Sequence, residues 1–199
     1  LEENFGINRL NNRVEVVYNG INLKSIKNVE KDDAIKKKYN LPERYICCVG
    51  GIGPRKNQLN LVRAANKANI NLVIIGQASK GYEKYNKHIR KIAKKNIYFL
   101  GHLLQEETFK ILKNSVGHVQ PSYIETPGLA SLEAVALGVP IIVSHNEPVK
   151  EYFEGNALYC NPKDIDSLVD ALVKLSRMEK LSTKDMMWIQ KYEWGNALK

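Results

Sequence analysis

The sequence predicts an α/β domain with a doubly wound, mostly parallel sheet. Its apolar runs are short and continuous rather than alternating, as in strands that are covered on both faces. Helical patterns fall between most of these runs, and right-handed crossovers would then place helices on both faces of the sheet. A chain of 199 residues is long enough for one domain with its own hydrophobic core.

Seven strands and six helices are predicted in alternation, the order typical of a Rossmann-like domain. The strands are the apolar runs Val14–Tyr18, Tyr45–Gly50, Leu72–Gly76, Ile97–Gly101, Val116–Gln120, Ile141–Ser144 and Leu158–Cys160. The helices are the segments Asp32–Tyr39, Lys56–Ala68, Glu83–Lys95, Glu106–Asn114, Gly128–Leu137 and Ile165–Arg177. The domain is accordingly assigned to residues 14–178, between a polar joining segment at 1–13 and a tail at 179–199 that has no clear strand or long helix.

Composition excludes some classes of protein. Hydrophobic content of 44% with 26% charged residues is typical of a globular domain, and no run approaches the roughly 20 apolar residues of a membrane helix. No signal peptide is expected. Cys47, Cys48 and Cys160 form neither a disulfide framework nor a metal spacing, which predicts a reducing, cytosolic compartment. Cys47 and Cys48 are adjacent inside an apolar run and are interpreted as small core residues.

The net charge of +9 invites a nucleic-acid-binding interpretation. The lysines, however, are scattered over predicted helix faces, and the chain has no RNA-binding aromatic signature or zinc finger. A solvated basic surface is the favoured interpretation. Such a surface also suits an anionic ligand or acidic lipids.

The most informative stretch, Pro121–Ile142, places two acids around one predicted helix start. Thr126 is predicted to cap the first turn, and Pro127 to take the first helical position, where its missing N–H needs no partner. Gly128 and Leu129 then offer free backbone N–H groups at the positive end of the helix, which suits a phosphate.

The two acids, Glu125 and Glu133, are expected in different surroundings. At about 100° per residue, Glu133 lies near Leu129 and Ala136 and is assigned to the apolar, core-facing side of the helix, where an ionised carboxylate needs a partner. Glu125 lies in a loop at the carboxyl end of a strand, where open α/β sheets bind ligands. A ligand site and a structural alternative, with Glu133 in a salt bridge and Glu125 on the surface, both remain open.

A second candidate site follows the strand Tyr45–Gly50. Residues 51–54 are interpreted as a turn, and Arg55-Lys56-Asn57 as the start of the next helix. A lysine in that place can reach a phosphate that also faces the helix amides. The glycines match neither the dinucleotide-binding nor the P-loop spacing, so basic residues on a solvent-exposed loop remain the alternative.

These features resemble one known family. The resemblance rests on Pro121-Ser122, on Glu125 and Glu133 with seven residues between them, and on Ala134, Ala136, Gly138 and Pro140. Together they resemble the E-x7-E element of the GT-B glycosyltransferases, in particular the large retaining family called glycosyltransferase family 4, or group 1. Supporting markers extend the resemblance over about Val14–Leu175. It implies that the chain is the C-terminal, donor-binding half of a GT-B fold, with a truncated crossover helix in its tail and an absent N-terminal domain.

The resemblance also implies a role for each acid. Glu133 would hydrogen-bond the ribose of the donor nucleotide. Glu125, with the backbone amides of Gly128, Leu129 and Ala130, would contact the sugar and the phosphates of the donor.

In the family, an arginine directly after a strand-end glycine and a lysine after a short loop with proline both grip the donor diphosphate. Gly50, Pro54 and Lys56 match those places, but Gly51 stands where the arginine would be. Arg55 is expected to supply the missing charge from a different backbone position.

Further predictions concern the base and the histidines. The family's loop after Phe99–Gly101 lies along the base, which would place Leu103 against the ring, with His102 nearby. His118, inside an apolar run, is interpreted as a hydrogen-bonded core residue rather than a catalyst. The histidines have no metal spacing and no D-x-D pair is placed to hold a metal, so no cofactor is expected and the reaction is expected to be metal-independent.

The implied activity is sugar transfer from a nucleotide-diphosphate sugar to an acceptor hydroxyl, with retention, in glycan, glycolipid or polysaccharide synthesis. Lys56 and Glu125 are the expected catalytic residues, because the leaving diphosphate needs positive charge and the sugar needs orientation. The expected partners are a nucleotide sugar, an acceptor glycan or lipid-linked glycan, the N-terminal domain and an anionic membrane at the inner face, with no nucleic acid.

Two alternatives fit the same residues: a non-catalytic nucleotide-sugar-binding module, and another GT-B enzyme such as an epimerase or a phosphorylase. Because the acceptor site of such enzymes lies largely in the N-terminal domain, the chain alone is expected to turn over poorly.

Overall fold

The computed structural model of this protein describes residues 18–197. In that range six strands form one parallel sheet: β1 (Ile46–Val49), β2 (Leu72–Ile75), β3 (Ile97–Gly101), β4 (Gly117–Gln120), β5 (Ile141–Ser144) and β6 (Leu158–Cys160). Their order across the sheet is β3-β2-β1-β4-β5-β6, and every pairing is parallel. The predicted fold class is confirmed. Residues 14–17, most of the first predicted strand, lie outside the described residues.

The described helices alternate with these strands. They are α1 (Leu23–Ile26), α2 (Asp33–Lys38), α3 (Gln58–Ala68), α4 (Glu83–Ile92), α5 (Gln105–Asn114), α6 (Leu129–Ala136), α7 (Glu147–Phe153), α8 (Ile165–Ser176) and α9 (Trp194–Ala197). Two 3-10 segments, Pro54–Lys56 and Lys184–Tyr192, complete the element order. None of the helices in residues 18–197 has the length and apolar character needed to cross a membrane.

The strands read as continuous apolar runs because both faces of the sheet are covered. In β1, Ile46 and Cys48 belong to a buried cluster with α3, α4 and α8, whereas Cys47 belongs to the cluster on the opposite face, with α5, α6 and α7. The prediction that Cys47 and Cys48 are core residues is confirmed, and both thiols are free. Alternate residues of one strand thus fill two separate cores.

Two helices begin later than the sequence predicts, each for a backbone reason. Asn57 adopts a left-handed φ of 60°, so Pro54–Lys56 forms a separate 3-10 turn and α3 begins only at Gln58. Gly128 has φ +81°, which is outside helical geometry, and α6 begins directly after it. Thr126 and Pro127 therefore neither cap the helix nor occupy its first turn, and that prediction is wrong.

The two ends of the described range lie side by side. The backbone N–H of Ile21 donates to Tyr192 O at 2.7 Å, and the N–H of Trp194 donates to Ile21 O at 3.3 Å. Ile189 and Tyr192 are each 2% exposed and belong to the same core as α6 and α7. The C-terminal segment is thus packed into the domain.

Candidate functional site

The predicted site residues meet at the carboxyl edge of the sheet. Lys56 follows β1 and Glu125 follows β4, and these two strands are neighbours although they are distant in sequence. The chain runs outward in opposite directions from this pair, towards β3 on one side and β6 on the other. Such a switch point opens a crevice beyond the strand ends, where ligands of doubly wound sheets bind.

Glu125 is held by two cations. Lys56 Nζ lies 2.5 Å from Glu125 Oε2, and Arg55 Nη1 lies 3.6 Å from Oε1. The carboxylate is buried, with 9% of the residue exposed, so the structural alternative of a surface Glu125 is wrong. The sequence places this ion pair across 69 residues, and only the β1–β4 pairing brings it together.

Lys56 is not alone in binding that carboxylate. The Ser122 hydroxyl donates to Glu125 Oε2 at 3.0 Å, and Gln120 Nε2 donates to Ser122 Oγ at 2.8 Å. Burial by itself raises the pKa of Glu125, but the hydrogen bonds and charge of Lys56, the bond from Ser122 and the charge of Arg55 outweigh it. The net pKa lies below its ordinary value, and Glu125 is ionised at neutral pH.

The start of α6 offers unpaired backbone donors beside this carboxylate. Among the residues that the structure describes, no acceptor bonds the N–H groups of Gly128, Leu129 or Ala130, whereas the next amide, that of Ser131, donates to Gly128 O at 2.8 Å. The point where a Gly128 Cβ would stand is 3.3 Å from Glu125 Cγ, so the turn lies against the carboxylate side chain. The predicted free amides are present, at the positive end of a helix.

Glu133 lies on α6 in a different environment from the one expected. The core face of the helix carries Ser131, Leu132, Ala134 and Val135, whereas Glu133 shares the least buried face with Leu129. The assignment of Glu133 to the core-facing side is therefore wrong. Because apolar residues occupy both faces of α6, their spacing did not identify the buried one.

Glu133 is nonetheless half-buried and poorly partnered. No salt bridge to Glu133 is present within residues 18–197, so the structural alternative of an ion pair fails for this residue too. Burial raises the pKa of Glu133 to about 7, against the opposing effect of a hydrogen bond with Gln105. The carboxyl group thus titrates near neutrality.

A cleft of about 420 Å³ lies beyond the ends of β1, β2 and β3. Its lining includes Gly50, Gly51, His102 and the predicted base contact Leu103, but neither Glu125 nor Glu133. Leu103 is half-buried and packs on the core, while His102 is exposed. Lys56 Nζ comes within 3.9 Å of the point where a Gly50 Cβ would stand, so the cleft and the Lys56–Glu125 pair adjoin each other at Gly50.

A backbone contact closes the floor of this cleft. A Cβ on Gly76 would lie 2.0 Å from Gly50 O, a distance that no side chain tolerates. Gly76 is therefore required by the close approach of β1 and β2. The sequence marked both positions as strand ends without revealing this contact.

Arg55 points to the carboxylate from outside. Its Nη1 donates to Ile124 O at 2.7 Å, and 54% of its side chain is exposed. At Gly51, the position of the family arginine, a Cβ would meet Ser79 Oγ at 3.3 Å, and the backbone there is not left-handed. Arg55 is thus a cation near the site, but its side chain lies against the loop of Ile124 and not at the end of β1.

His118 is fully buried, and its Nε2 lies 3.1 Å from Ser131 Oγ, as expected for a core residue. Burial, together with the charge of Lys56, lowers the pKa of His118 to about 3, so the ring is neutral. In the part of the chain that the structure describes, no group of three or more His, Cys, Asp or Glu side chains is arranged to hold a metal ion.

Comparison with known proteins identifies the family of this chain. The profile of the family described as Glycosyl transferases group 1 matches residues 30–191, which include Lys56, Glu125 and Glu133. The chain belongs to this family. The group 1 resemblance inferred from the E-x7-E element is therefore confirmed.

This group 1 chain is also similar to a curated relative in sequence and to a solved structure in fold. The Escherichia coli protein named UDP-Gal:alpha-D-GlcNAc-diphosphoundecaprenol alpha-1,3-galactosyltransferase is 33% identical over 179 residues, covering 82% of this chain and 45% of the relative. HepE of Anabaena, solved with UDP and glucose, superposes with a TM-score of 0.73 at 17% identity, covering 92% of this chain and 51% of that one.

A third comparison concerns the extent of the chain. The C-terminal domain of a glycosyl transferase group 1 family protein (LpcC) from Francisella tularensis superposes with a TM-score of 0.68 at 20% identity. The likeness covers 90% of this group 1 chain and 97% of that domain. The chain spans about half the length of the curated relatives it matches.

Proposed function

We propose that this chain is the donor-binding half of a retaining glycosyltransferase, which transfers a sugar from a nucleotide-diphosphate sugar to an acceptor hydroxyl. One observation carries the proposal. The Lys56 ammonium, the ionised Glu125 and the free amides of Gly128–Ala130 converge at the switch point of the sheet.

Lys56 and the amides suit the leaving diphosphate. As the glycosidic bond breaks, negative charge grows on the phosphate oxygens, and donors already in place stabilise it without reorganisation. A diphosphate would compete with Glu125 for the Lys56 ammonium, because both are anions that draw the same positive charge. The proposal requires no metal ion, since Lys56 and the helix start supply the positive charge.

Glu125 suits the donor sugar. An ionised carboxylate only accepts hydrogen bonds, and sugar hydroxyls can donate to it and thereby be held in one orientation. The networks of Lys56 and Ser122 keep it ionised in the absence of a ligand. Orientation of the donor in this way contributes to catalysis by fixing the reacting carbon relative to the acceptor.

Glu133 suits the ribose. Its carboxyl group lies on the more open face of α6 and has a pKa of about 7 because burial disfavours its charge. Two ribose hydroxyls that donate to it would stabilise the charged form. Nucleotide binding is therefore expected to release a proton near neutral pH.

The relatives support the choice of ligand class. The name of the E. coli relative specifies a UDP-sugar donor and a lipid diphosphate-linked sugar acceptor, and the HepE structure contains UDP. We extend both to this chain as proposals: a nucleotide-sugar donor, an acceptor glycan or lipid-linked glycan bound with the help of an N-terminal domain, and contact with an anionic membrane from the cytoplasm.

Calorimetry and thermal shift with UDP, GDP and ADP test the donor site. We expect one nucleotide to raise the melting temperature of the chain. Glu133→Ala should weaken its binding by about tenfold or more, because a hydrogen bond to a charged group contributes about 1.5–3 kcal/mol.

Glu147→Ala is the matched control, because Glu147 is an exposed glutamate at the start of a neighbouring helix and should leave nucleotide binding unchanged. If no nucleotide shifts the melting temperature, or if Glu133→Ala binds as well as wild type, the donor-site proposal is wrong.

The half-enzyme part of the proposal has its own test. Incubated with nucleotide sugars, the chain alone should show little hydrolysis or transfer, since the acceptor side is supplied by another domain. Joined to the N-terminal half of a group 1 relative, it should gain transfer activity that Lys56→Ala abolishes. Rapid turnover by the chain alone would contradict the half-enzyme interpretation, and a joined protein that binds nucleotide without transfer would favour a binding module.

A further inference from the structure

A buried glutamine stands behind Glu125 in a chain of hydrogen bonds. Gln120 ends β4 and is 3% exposed. Its Nε2 donates to Ser122 Oγ at 2.8 Å, and Ser122 Oγ donates to Glu125 Oε2 at 3.0 Å. A serine hydroxyl has one hydrogen, so accepting the amide N–H from Gln120 leaves that hydrogen for Glu125.

The other end of the glutamine amide faces the site. Gln120 Oε1 is buried and has no hydrogen-bond partner among residues 18–197. It lies 3.9 Å from the point where a Gly50 Cβ would stand, and Lys56 Nζ lies 3.9 Å from that same point. The missing side chain at Gly50 thus leaves a small space bordered by an acceptor oxygen and an ammonium group.

The charges favour this orientation of the amide. If the amide were reversed, its N–H groups would face the Lys56 ammonium, and its oxygen would draw the Ser122 hydrogen away from Glu125. Lys56 therefore selects the orientation in which Ser122 donates to the carboxylate.

This arrangement becomes important when Lys56 changes partner. A diphosphate that binds Lys56 removes the shortest contact of Glu125, and Arg55 at 3.6 Å is too distant for a hydrogen bond. Ser122 is then the side chain, among those that the structure describes, that still donates to the carboxylate. A buried carboxylate without donors takes up a proton, and a neutral Glu125 would accept sugar hydroxyls poorly.

We propose that Gln120 is a positioning residue, which orients the Ser122 hydroxyl towards Glu125 so that the carboxylate stays ionised and in place when a diphosphate withdraws Lys56. This inference rests on the function proposed above, because only a bound donor makes Lys56 leave. It assigns to Gln120 a role that appears in the loaded state and is masked by Lys56 in the free protein.

Titration of the Glu125 carboxyl carbon by NMR, in protein labelled with carbon-13 glutamate, tests the inference without any nucleotide. Lys56→Met imitates the withdrawal of the ammonium. In that background, Gln120→Met should raise the pKa of Glu125 by about one pH unit, the size expected when a hydrogen bond to a charged group is lost. With Lys56 present, the same change should have less than half that effect.

Two further variants separate positioning from packing. Ser122→Ala in the Lys56→Met background should raise the Glu125 pKa as much as Gln120→Met does, and the two changes together should add nothing. Gln58→Met is the control, because Gln58 is also a fully buried glutamine but bonds only the backbone of Gly51 and Gly53. It should leave the Glu125 pKa unchanged.

The outcomes are distinct. If Glu125 titrates alike in Lys56→Met and in Lys56→Met with either Gln120→Met or Ser122→Ala, the inference is overturned. The same holds if Gln58→Met shifts the pKa equally. In proteins that retain Lys56, saturating UDP should withdraw the ammonium from Glu125, as Lys56→Met removes it. UDP should therefore raise the Glu125 pKa more in Gln120→Met than in wild type. If UDP, GDP and ADP all fail to bind, the proposed function fails, while the nucleotide-free titration still decides the role of Gln120.

Discussion

Glu125 and Glu133 flank the same helix start, yet their surroundings move their carboxyl groups in opposite directions. Glu125 is the more deeply buried, and Lys56 and Ser122 keep its pKa below the ordinary value. Glu133 lies on the more open face of α6, and its partial burial raises its pKa to about 7. The neutral side chain of Gln105 opposes this increase only weakly, because it carries no positive charge. Depth of burial therefore does not decide the charge of a carboxylate here; the number and charge of its donors does.

The difference teaches which group the protein itself stabilises. The Glu125 carboxylate has protein partners in the absence of a ligand, and a bound nucleotide sugar must displace one of them. Glu133 has few partners in the absence of a ligand, and a bound nucleotide sugar would supply the missing hydrogen bonds. The first acid is thus expected to favour the folded state of the free protein, and the second to oppose it.

The largest change in the free energy of unfolding is expected from Lys56→Ala, which removes the cation that distinguishes Glu125 from Glu133. It removes the main partner of a buried carboxylate, which should lower the free energy of unfolding by about 2–4 kcal/mol at pH 7. Urea denaturation measures this loss. Because the folded pKa of Glu125 lies below 4.5, the loss should be complete above that pH and should shrink as the pH falls through the folded value.

The exposed ion pair between Lys67 and Asp166 gives a matched control, with side chains 60% and 72% exposed. Lys67→Ala should destabilise the protein far less than Lys56→Ala does, because solvent screens exposed ion pairs. Equal losses for Lys56→Ala and Lys67→Ala would show that the Glu125 cluster does not stabilise the fold.

A smaller effect of opposite sign is expected from Glu133→Gln. The unfolded carboxyl group ionises from about pH 4.5, whereas the folded one retains its proton until about pH 7. Wild type therefore loses stability as the pH rises through this window, and the glutamine variant does not. At pH 8 the variant should be more stable by about 1–2 kcal/mol, since each pKa unit corresponds to about 1.4 kcal/mol and partial exposure reduces the total.

Denaturation of wild type and Glu133→Gln at pH 4 and at pH 8 measures this effect. The two proteins should be equally stable at the lower pH and diverge at the higher one. A variant that is less stable than wild type at pH 8 would show that Glu133 is ionised and well partnered in the free protein.

The smallest effect is expected from Arg55→Ala, which sharpens the contrast between the two cations at Glu125. Arg55 lies 3.6 Å from the carboxylate and is 54% exposed, so its removal should lower the free energy of unfolding by less than about 1 kcal/mol. Urea denaturation beside Lys56→Ala tests this order. A loss as large as that of Lys56→Ala would make Arg55 an equal partner of Glu125.

The sequence predicts the sheet well because its central strands are buried on both faces, and burial leaves continuous apolar runs such as those of β2 and β5. It fails where one residue's backbone decides the structure. The position of Gly128 at φ +81° and of Asn57 at φ 60° moved two helix starts beyond the predicted residues. Helix α7 was not predicted, since it is short and has a proline at its second position.

The candidate site shows the same division. The motif at Glu125 and the lysine at position 56 were identified, but their ion pair depends on strands that are neighbours only in the folded sheet. Gln120 stood at the end of an apolar run without an assigned role. A polar residue directly before Pro121-Ser122, at the carboxyl end of a central strand, is the signal that points to it.

The adjacent ends of the described domain have a practical consequence. Ile21 is paired with both Tyr192 and Trp194, so the chain enters and leaves the compact unit at one place. A unit of this kind can be exchanged as a cassette, because both junctions lie at a single corner and few contacts need to be rebuilt around them. Chimaeras among group 1 proteins should therefore join best at this corner, and their donor preference should travel with the transplanted piece.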